Sequence, residues 1–345
     1  MNEFHKHSFI FSILFLAVAI FFYVSQSAPL VKSPKEQYNV AGASVAAPVE
    51  IGSPTLADIA ARKNTEAVHN IDIKTNVLKD NSQAGGDSSI QDQNQTNLGT
   101  DSSNSIQAAS YLVKELGERD SNQLDSYANN LWPIASITKL MTATVAIEEL
   151  DPNKFIIMSP SAIAAEGMAG GMSVGERYTL ADLLKSMMMV SSNDASTAVS
   201  EELPNGEFIQ KMNDKAKDLG MFDTNFVDPT GLSYLNQSTP EDLERLLIYI
   251  RSSHPEILVK SRLKTDFIIE QNSGDQRQLF SIIEFAGQPD FLGGKTGYIE
   301  AADGNFVSLF NYQGKTIMVL VLGSKDRFSD TEKLLAEYKN QFKND

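Results

Sequence analysis

The chain of 345 residues contains no cysteine and only four histidines, which are His5, His7, His69 and His254. Without cysteine, disulfide frameworks, thiolate zinc sites, iron–sulfur clusters and cysteine nucleophiles are all excluded. The histidines are far apart in the sequence, which argues against a histidine-based metal site. A hydrolase built from this chain would need a different base, and lysine is suitable once its pKa is lowered.

Positive charge is also scarce. The chain has 29 Lys and Arg residues against 44 Asp and Glu residues, a net charge of −15 at pH 7. Proteins that bind nucleic acid carry basic surfaces that release counterions from the phosphates, so we expect no nucleic-acid partner. The length would allow two domains of roughly 150 residues each, but the distribution of residue types favours one.

One long apolar run lies near the N-terminus, where residues 8–24 (SFIFSILFLAVAIFFYV) carry no charge. The run is longer than the roughly 7–15 residues of a secretory signal core and shorter than the about 20 residues of a spanning helix. We predict that residues 1–28 form an N-terminal membrane anchor, in preference to a cleaved signal peptide. Either one exports the remainder of the chain.

Residues 29–104 contain a single aromatic residue, Tyr38, and residues 80–105 are dense in Ser, Asn, Gln, Asp and Gly. Such a segment cannot bury enough apolar area to offset the entropy of ordering it. We therefore predict that residues 29–104 form a disordered polar spacer, with an end-to-end distance of roughly 50 Å when it is relaxed.

Residues 105–345 have a globular composition, with strand patterns at both ends and helix patterns between them. This order predicts an α/β (α+β) domain in which one antiparallel sheet has helices on both faces and a mainly helical middle region. Strands are predicted at 107–116, 124–128, 291–299, 304–312 and 315–323. Helices are predicted at 136–150, after Thr179, at 206–219, at 240–250 and after a cap formed by Ser329, Asp330, Thr331 and Glu332.

Ser136 and Lys139 lie at the start of the first predicted helix. Residues at i and i+3 share one helix face, so the hydroxyl and the amine can meet. The helix N-terminus also offers free N–H groups to a developing oxyanion. The tetrad alone is weak evidence, because Ser261 and Lys264 have the same spacing.

Two later motifs strengthen the first. Ser191-x-Asn193 follows an apolar stretch, where polar side chains need partners, although a helix-ending turn would explain it equally well. Lys295-Thr296-Gly297 lies in a predicted strand, where glycine permits a close backbone approach, although a solvated lysine at a strand edge is the simpler interpretation. The three motifs follow the order found in serine penicillin-recognising enzymes, and the pair at Ser261 does not fit that order.

With these motifs, the chain resembles the D-alanyl-D-alanine carboxypeptidases among the low-molecular-weight penicillin-binding proteins. The resemblance spans nearly all of residues 107–345 and includes WPIASITKLMT at 132–142, VGERYTLADLL at 174–184, SSNDA at 191–195, FVDPTGL at 226–232 and GKTGY at 294–298. It implies a β-lactamase/transpeptidase-like fold and a D,D-carboxypeptidase catalytic domain at 105–345.

The resemblance also implies acyl transfer on a peptide that ends in D-Ala-D-Ala. Ser136 would attack the penultimate D-Ala carbonyl, with neutral Lys139 as the base, its pKa lowered by burial and by the neighbouring Lys295. Ser191 would pass a proton to the leaving D-Ala, and Asn193 would position Lys139 and the substrate amide.

The resemblance assigns substrate binding to the strand that carries the third motif. Lys295 and Thr296 would hold the terminal carboxylate, and Gly297 would let the substrate lie along the strand. The backbone N–H groups of Ser136 and Tyr298 would form the oxyanion hole. No metal and no organic cofactor is expected.

The expected partners are peptidoglycan stem peptides ending in D-Ala-D-Ala, β-lactam antibiotics as covalent inhibitors, and the membrane through residues 1–28. The catalytic domain is expected on the outer side of the cell membrane, facing the wall or periplasm, or secreted if the N-terminal segment is cleaved. Three alternatives remain open, namely a D,D-endopeptidase acting on cross-links, a class A-like β-lactamase and a non-enzymatic β-lactam sensor. The β-lactamase ranks lower because no Glu-x-x-Leu-Asn pattern lies between Asn193 and Lys295.

Overall fold

In a computed structural model, the described residues are 105–118, 121–167, 170–204 and 206–343. The predicted anchor at 1–28 and the predicted spacer at 29–104 lie outside these ranges and stay predictions. No helix within the described ranges is both long and apolar enough to cross a membrane.

The centre of the structure is a five-stranded antiparallel sheet. Its strands are β1 (Ser110–Glu115), β2 (Gln123–Ser126), β9 (Phe291–Ile299), β10 (Asp303–Tyr312) and β11 (Lys315–Ser324). They lie in the order β2-β1-β11-β10-β9, so the first and last strands of the chain are neighbours. All five were predicted, with small differences at their ends. The antiparallel sheet is therefore confirmed.

Shorter strands form three two-stranded pairs beside this sheet. They are β3 (Trp132–Pro133) with β6 (Gln237–Ser238), β4 (Phe155–Ile157) with β5 (Arg177–Thr179), and β7 (Thr265–Ile269) with β8 (Gln276–Phe280). The helices of the described residues are α1 (Lys139–Glu149), α2 (Pro160–Ile163), α3 (Leu180–Met189), α4 (Asn193–Ser200), α5 (Glu207–Asp218), α6 (Pro240–Ser253), α7 (Pro255–Ser261) and α8 (Arg327–Gln341).

Helices cover both faces of the sheet because successive side chains of a strand point to opposite faces. In β10, Phe306 and Phe310 face the core beneath α8, where they meet Leu334. Their neighbour Val307 faces the larger core, which the middle helices fill. The predicted arrangement of helices on both faces is confirmed, and α8 packs on the sheet as expected.

Most predicted helix ends are confirmed. The side chain of Thr179 accepts a hydrogen bond from the backbone N–H of Asp182 at 3.1 Å and so caps α3, as the capping box predicted. The cap predicted for α8 at 329–332 is wrong. The side chain of Asp326 caps the helix by accepting from the N–H of Ser329 at 3.1 Å. The Asp330 carboxylate is engaged elsewhere, since it accepts from Ser324 Oγ at 2.7 Å.

Candidate active site

Ser136 lies in a 3-10 turn formed by Ala135–Thr138, which leads directly into α1. The sequence predicted an α-helix from 136 onward, and the tighter turn brings residues i and i+3 into eclipse. Lys139 Nζ accordingly donates a hydrogen bond to Ser136 Oγ at 2.9 Å. The predicted contact between the two side chains is thus present.

Lys139 is fully buried, and its amine has two further acceptors. It donates to Asn193 Oδ1 at 2.7 Å and to the backbone oxygen of Thr230 at 2.6 Å. Burial lowers the pKa of Lys139 to about 7, and the negative charge of Asp228 opposes this shift. A neutral amine has two N–H donors and one lone pair. In this neutral form the two N–H groups donate to the carbonyl oxygens of Asn193 and Thr230, and the bond to Ser136 reverses, so that the Ser136 hydroxyl donates to the lone pair.

Ser191 and Asn193 lie where α3 ends and α4 begins, so the segment is a turn as well as part of the site. Ser191 adopts a left-handed backbone conformation with φ of +59°, which is uncommon for a residue other than glycine. Asn193 faces Lys139 through Oδ1, and its Nδ2 donates to the backbone oxygen of Glu166 at 2.5 Å. One N–H of the Asn193 amide remains for a substrate.

Lys295 is fully buried in β9, which rules out a solvated lysine at a strand edge. Its Nζ donates to Ser191 Oγ at 2.9 Å and to the backbone oxygen of Thr296 at 2.8 Å. Burial holds the pKa of Lys295 well below its usual range, and the positive charges of Lys139 and Arg327 lower it further. Burial is therefore the main cause of the lowered pKa at both lysines, and the positive charge of Lys139 adds to it at Lys295. The resemblance implied that Lys295 would also lower the pKa of Lys139, but the shift at Lys139 comes from burial, with Asp228 opposing it.

Gly297 and Gly231 let the backbone pack closely around Ser136. A Cβ atom on Gly297 would stand 2.7 Å from the oxygen of Ile134 and 3.1 Å from the nitrogen of Ser136. On Gly231, where φ is +84°, it would stand 2.0 Å from the oxygen of Ala135. The sequence predicted that Gly297 admits a substrate backbone. The structure shows a more immediate reason for glycine at this position, because the protein's own turn at Ala135–Thr138 packs directly against Gly297.

These residues meet at a cleft of about 250 Å³. The cleft is lined by Ser136, Gly167, Ser191, Asn193, Gly231, Leu232, Ile282, Thr296, Gly297, Tyr298, Ile299 and Arg327. The structure thus brings together all eight residues that the sequence predicted. Six of them line the cleft, and the two lysines lie beneath it. Lys139 is bonded to Ser136 and Lys295 to Ser191.

Arg327 is the charged residue of the cleft that the sequence analysis missed. Its Nη1 donates to the backbone oxygen of Gly297 at 3.0 Å, which places the guanidinium beside the third motif. The sequence signal for it is slight, because Arg327 is simply the first residue after a helix cap.

Ser261, which has the same spacing to a lysine as Ser136, lies outside this cleft. Its hydroxyl is fully buried, donates to the backbone oxygen of Leu258 at 2.8 Å and accepts from the N–H of Gly294 at 2.9 Å. Ser261 therefore joins α7 to β9 and does not serve a second site.

Comparisons with known proteins show the family to which the chain belongs. The profile of the D-alanyl-D-alanine carboxypeptidase family of serine peptidases (S11) matches residues 98–326. A D-alanyl-D-alanine endopeptidase of Pseudomonas aeruginosa is 41% identical over 125 residues, which are 34% of this chain and 40% of that protein. A D-alanyl-D-alanine endopeptidase of Haemophilus influenzae is 31% identical over 223 residues, covering 62% of this chain and 74% of that protein.

Among solved structures, penicillin-binding protein D2 of Listeria monocytogenes in the ampicillin-bound form superposes with a TM-score of 0.59. It is 27% identical, and the match covers 67% of this chain and 97% of that one. The family profile matches well over half of the sequence. The chain therefore belongs to the D-alanyl-D-alanine carboxypeptidase family of serine peptidases.

Proposed function

We propose that this enzyme removes the terminal D-Ala from peptidoglycan stem pentapeptides through an acyl-enzyme on Ser136. The observation that carries the proposal is the environment of Lys139. Its amine is buried, its donors are bound to two carbonyl oxygens, and its lone pair is free to take the Ser136 proton. Because burial lowers the pKa of Lys139 to about 7, the amine can act as a base near neutral pH.

In the first step, Ser136 Oγ attacks the carbonyl of the penultimate D-Ala while its proton passes to Lys139. The N–H groups of Ser136 and Tyr298 stabilise the oxyanion. The C–N bond then breaks, and Ser191 relays the proton that Lys139 accepted to the departing amine, so that Ser191 ends as a neutral hydroxyl and Lys139 as a neutral amine. Ser191 is suited to this because Lys295 Nζ donates a hydrogen bond to Ser191 Oγ and so fixes the position of the hydroxyl. In the second step water attacks the ester and gives a proton to Lys139, which returns it to Ser136 Oγ as the ester C–O bond breaks and the acid product leaves.

The terminal carboxylate is held where Thr296, Lys295 and Arg327 meet. Arg327 lines the cleft and Lys295 lies directly beneath it. A carboxylate that enters here favours the protonated form of Lys295, because an opposite charge offsets the effect of burial on its pKa. An exopeptidase needs this recognition of a free C-terminus, which a plain esterase does not.

Replacing Arg327 by glutamine is expected to lower kcat/KM for D-Ala release about 10- to 100-fold, the usual effect of losing a hydrogen bond between charged groups. The measurement compares two peptides, one with a free terminal carboxylate and one with a terminal amide. Arg327→Gln should affect the first alone. An equal loss on both peptides would show that Arg327 only supports the fold.

A second candidate function is D,D-endopeptidase activity on cross-links, because the relatives at 41% and 31% identity are endopeptidases by name. The two activities are separated by supplying uncross-linked pentapeptides and cross-linked dimers and identifying the products. We expect free D-Ala and tetrapeptide from the pentapeptide. Cleaved dimers with intact pentapeptide would assign the endopeptidase instead. Labelling by penicillin without any cleavage would indicate a sensor.

Stable acylation by β-lactams is part of the same proposal. No carboxylate stands among the described residues that line the cleft, so a base that would deacylate a penicilloyl-enzyme rapidly is not at hand. This argues against a β-lactamase of class A type.

For the location, we propose that residues 1–28 export the chain and hold it at the outer face of the membrane. The spacer at 29–104 would let the catalytic domain reach the wall.

A further inference from the structure

A single carboxylate organises the loop at residues 228–233. Asp228 Oδ1 accepts from the N–H of Thr230 at 2.7 Å, from the hydroxyl of Thr230 at 2.6 Å and from the N–H of Gly231 at 2.6 Å. Asp228 Oδ2 accepts from the N–H of Ser233 at 2.9 Å. Four donors converge on one side chain, so the shape of the loop depends on Asp228.

This loop meets the helix that carries Lys139. The backbone oxygen of Thr230 accepts from Lys139 Nζ at 2.6 Å, and the hydroxyl of Thr142 donates to the oxygen of Pro229 at 2.6 Å. The Thr230 oxygen is one of the two carbonyl acceptors that direct the lone pair of Lys139 towards Ser136. A displaced loop would leave this N–H of the amine without its partner.

The charge of Asp228 also acts on Lys139. Around this amine, the turn Ala135–Thr138 and α4 contribute the neutral Ser136 and Asn193, while β9 contributes the amine of Lys295, whose own pKa burial holds well below its usual range. Asp228 provides the opposing negative charge and raises the pKa of Lys139 against the larger effect of burial. Without Asp228, the amine would lose its protons at a lower pH and be a weaker base.

We propose that Asp228 is a positioning residue of the reaction, which fixes the Thr230 oxygen against Lys139 and sets the pH range in which this amine can accept the Ser136 proton. The inference rests on the proposed function, in which Ser136 is the nucleophile and Lys139 is the base. Asp228 thus takes part in the reaction although it lies outside all three sequence motifs.

The test is the rate of Ser136 acylation by a labelled penicillin, measured from pH 5 to pH 9 in the full chain and in Asp228→Asn. An asparagine Oδ1 can keep the three hydrogen bonds to Thr230 and Gly231 but has no negative charge. The rate should rise with pH as Lys139 becomes neutral. In Asp228→Asn this rise should move to lower pH by about 0.5 to 1 unit, and the plateau should fall several-fold because the base is weaker.

Asp242→Asn is the matched control, because the buried Asp242 is, like the half-buried Asp228, a carboxylate that holds a loop. It accepts from the N–H of Asp223 at 2.9 Å and from the hydroxyl of Thr224 at 2.8 Å. This variant changes the net charge equally, and its pH profile should match that of the unchanged chain. A shift of the pH profile in both Asp228→Asn and Asp242→Asn, or in neither of them, would overturn the inference.

Asp228→Glu supplies a second test, which remains decisive if the asparagine variant does not fold. Glutamate keeps the charge but is one methylene longer, so the Thr230 oxygen should move. We expect a plateau at least tenfold lower with no shift of the rise to lower pH. A glutamate variant with the original plateau would contradict the positioning role. If the unchanged chain is not labelled at any pH, the proposed function itself fails.

Discussion

Replacing Ser136 by alanine is expected to abolish covalent labelling by penicillin and to lower D-Ala release about 10⁴-fold or more. The alanine side chain has no oxygen to form the ester, and no other hydroxyl among the described residues of the cleft is bonded to Lys139. The measurement is incubation with a labelled penicillin, followed by mass mapping of the adduct, beside an assay for free D-Ala.

Ser261→Ala is the control for this variant, because Ser261 has the same spacing to a lysine but lies outside the cleft. It should remain labelled at Ser136, with a lower stability from the lost hydrogen bond to the N–H of Gly294. Labelling that persists in Ser136→Ala, or that maps to another residue, would remove the basis of the proposed function.

Replacing Lys139 by arginine should lower the acylation rate about 10²- to 10⁴-fold, the range usual for a general base. The guanidinium keeps the positive charge but remains protonated at every pH at which the protein is folded. In the unchanged chain, the base is active in its neutral form, so the rate should rise through the pKa of Lys139, about 7. In Lys139→Arg this rise should be absent.

Lys114→Arg provides the matched control for the loss of a buried lysine. Lys114 is also largely buried, and its Nζ pairs with Glu244 Oε1 at 3.3 Å, but it does not line the cleft. Its variant should retain the full pH profile. If Lys139→Arg kept both its rate and its rise with pH, another group would have to be the base.

Much of the site could be predicted because its central contact is local. Ser136 and Lys139 are three residues apart, so the turn alone brings them together. The strands β9, β10 and β11 could be predicted equally well, since their apolar residues and the short connection after Tyr312 indicate a run of strands. Chain order supplied the link between the motifs, which spacing alone could not.

The residues that were missed reach the site only through the tertiary fold. Lys139 meets the oxygen of Thr230 across 91 positions, and Arg327 meets the oxygen of Gly297 across 30. A backbone carbonyl also leaves no mark of its own in a sequence, because every residue has one. Only the packing of the 228–233 loop against α1 makes the Thr230 oxygen part of the site.

The hairpin of β7 and β8 was missed for a different reason. Strand prediction relies on alternation of apolar and polar residues or on an apolar run. In β8 the buried Leu279 stands among exposed residues that include Gln276 and Gln278. The exposed Phe280 removes the remaining contrast. A strand with a single buried apolar side chain gives too weak a pattern to be distinguished from a loop.

The pairing of β1 with β11 has a consequence for when the enzyme can fold. Leu112 near the start of the domain lies opposite Leu320 in the last strand, so the central sheet joins segments that are about 200 residues apart in the sequence. Such non-local pairing is slow, because the chain must close a long loop before it gains the contact. A chain exported from its N-terminus, as we propose, could complete this sheet only after β11 has crossed. The enzyme would therefore gain its activity only once β11 lies outside the cell.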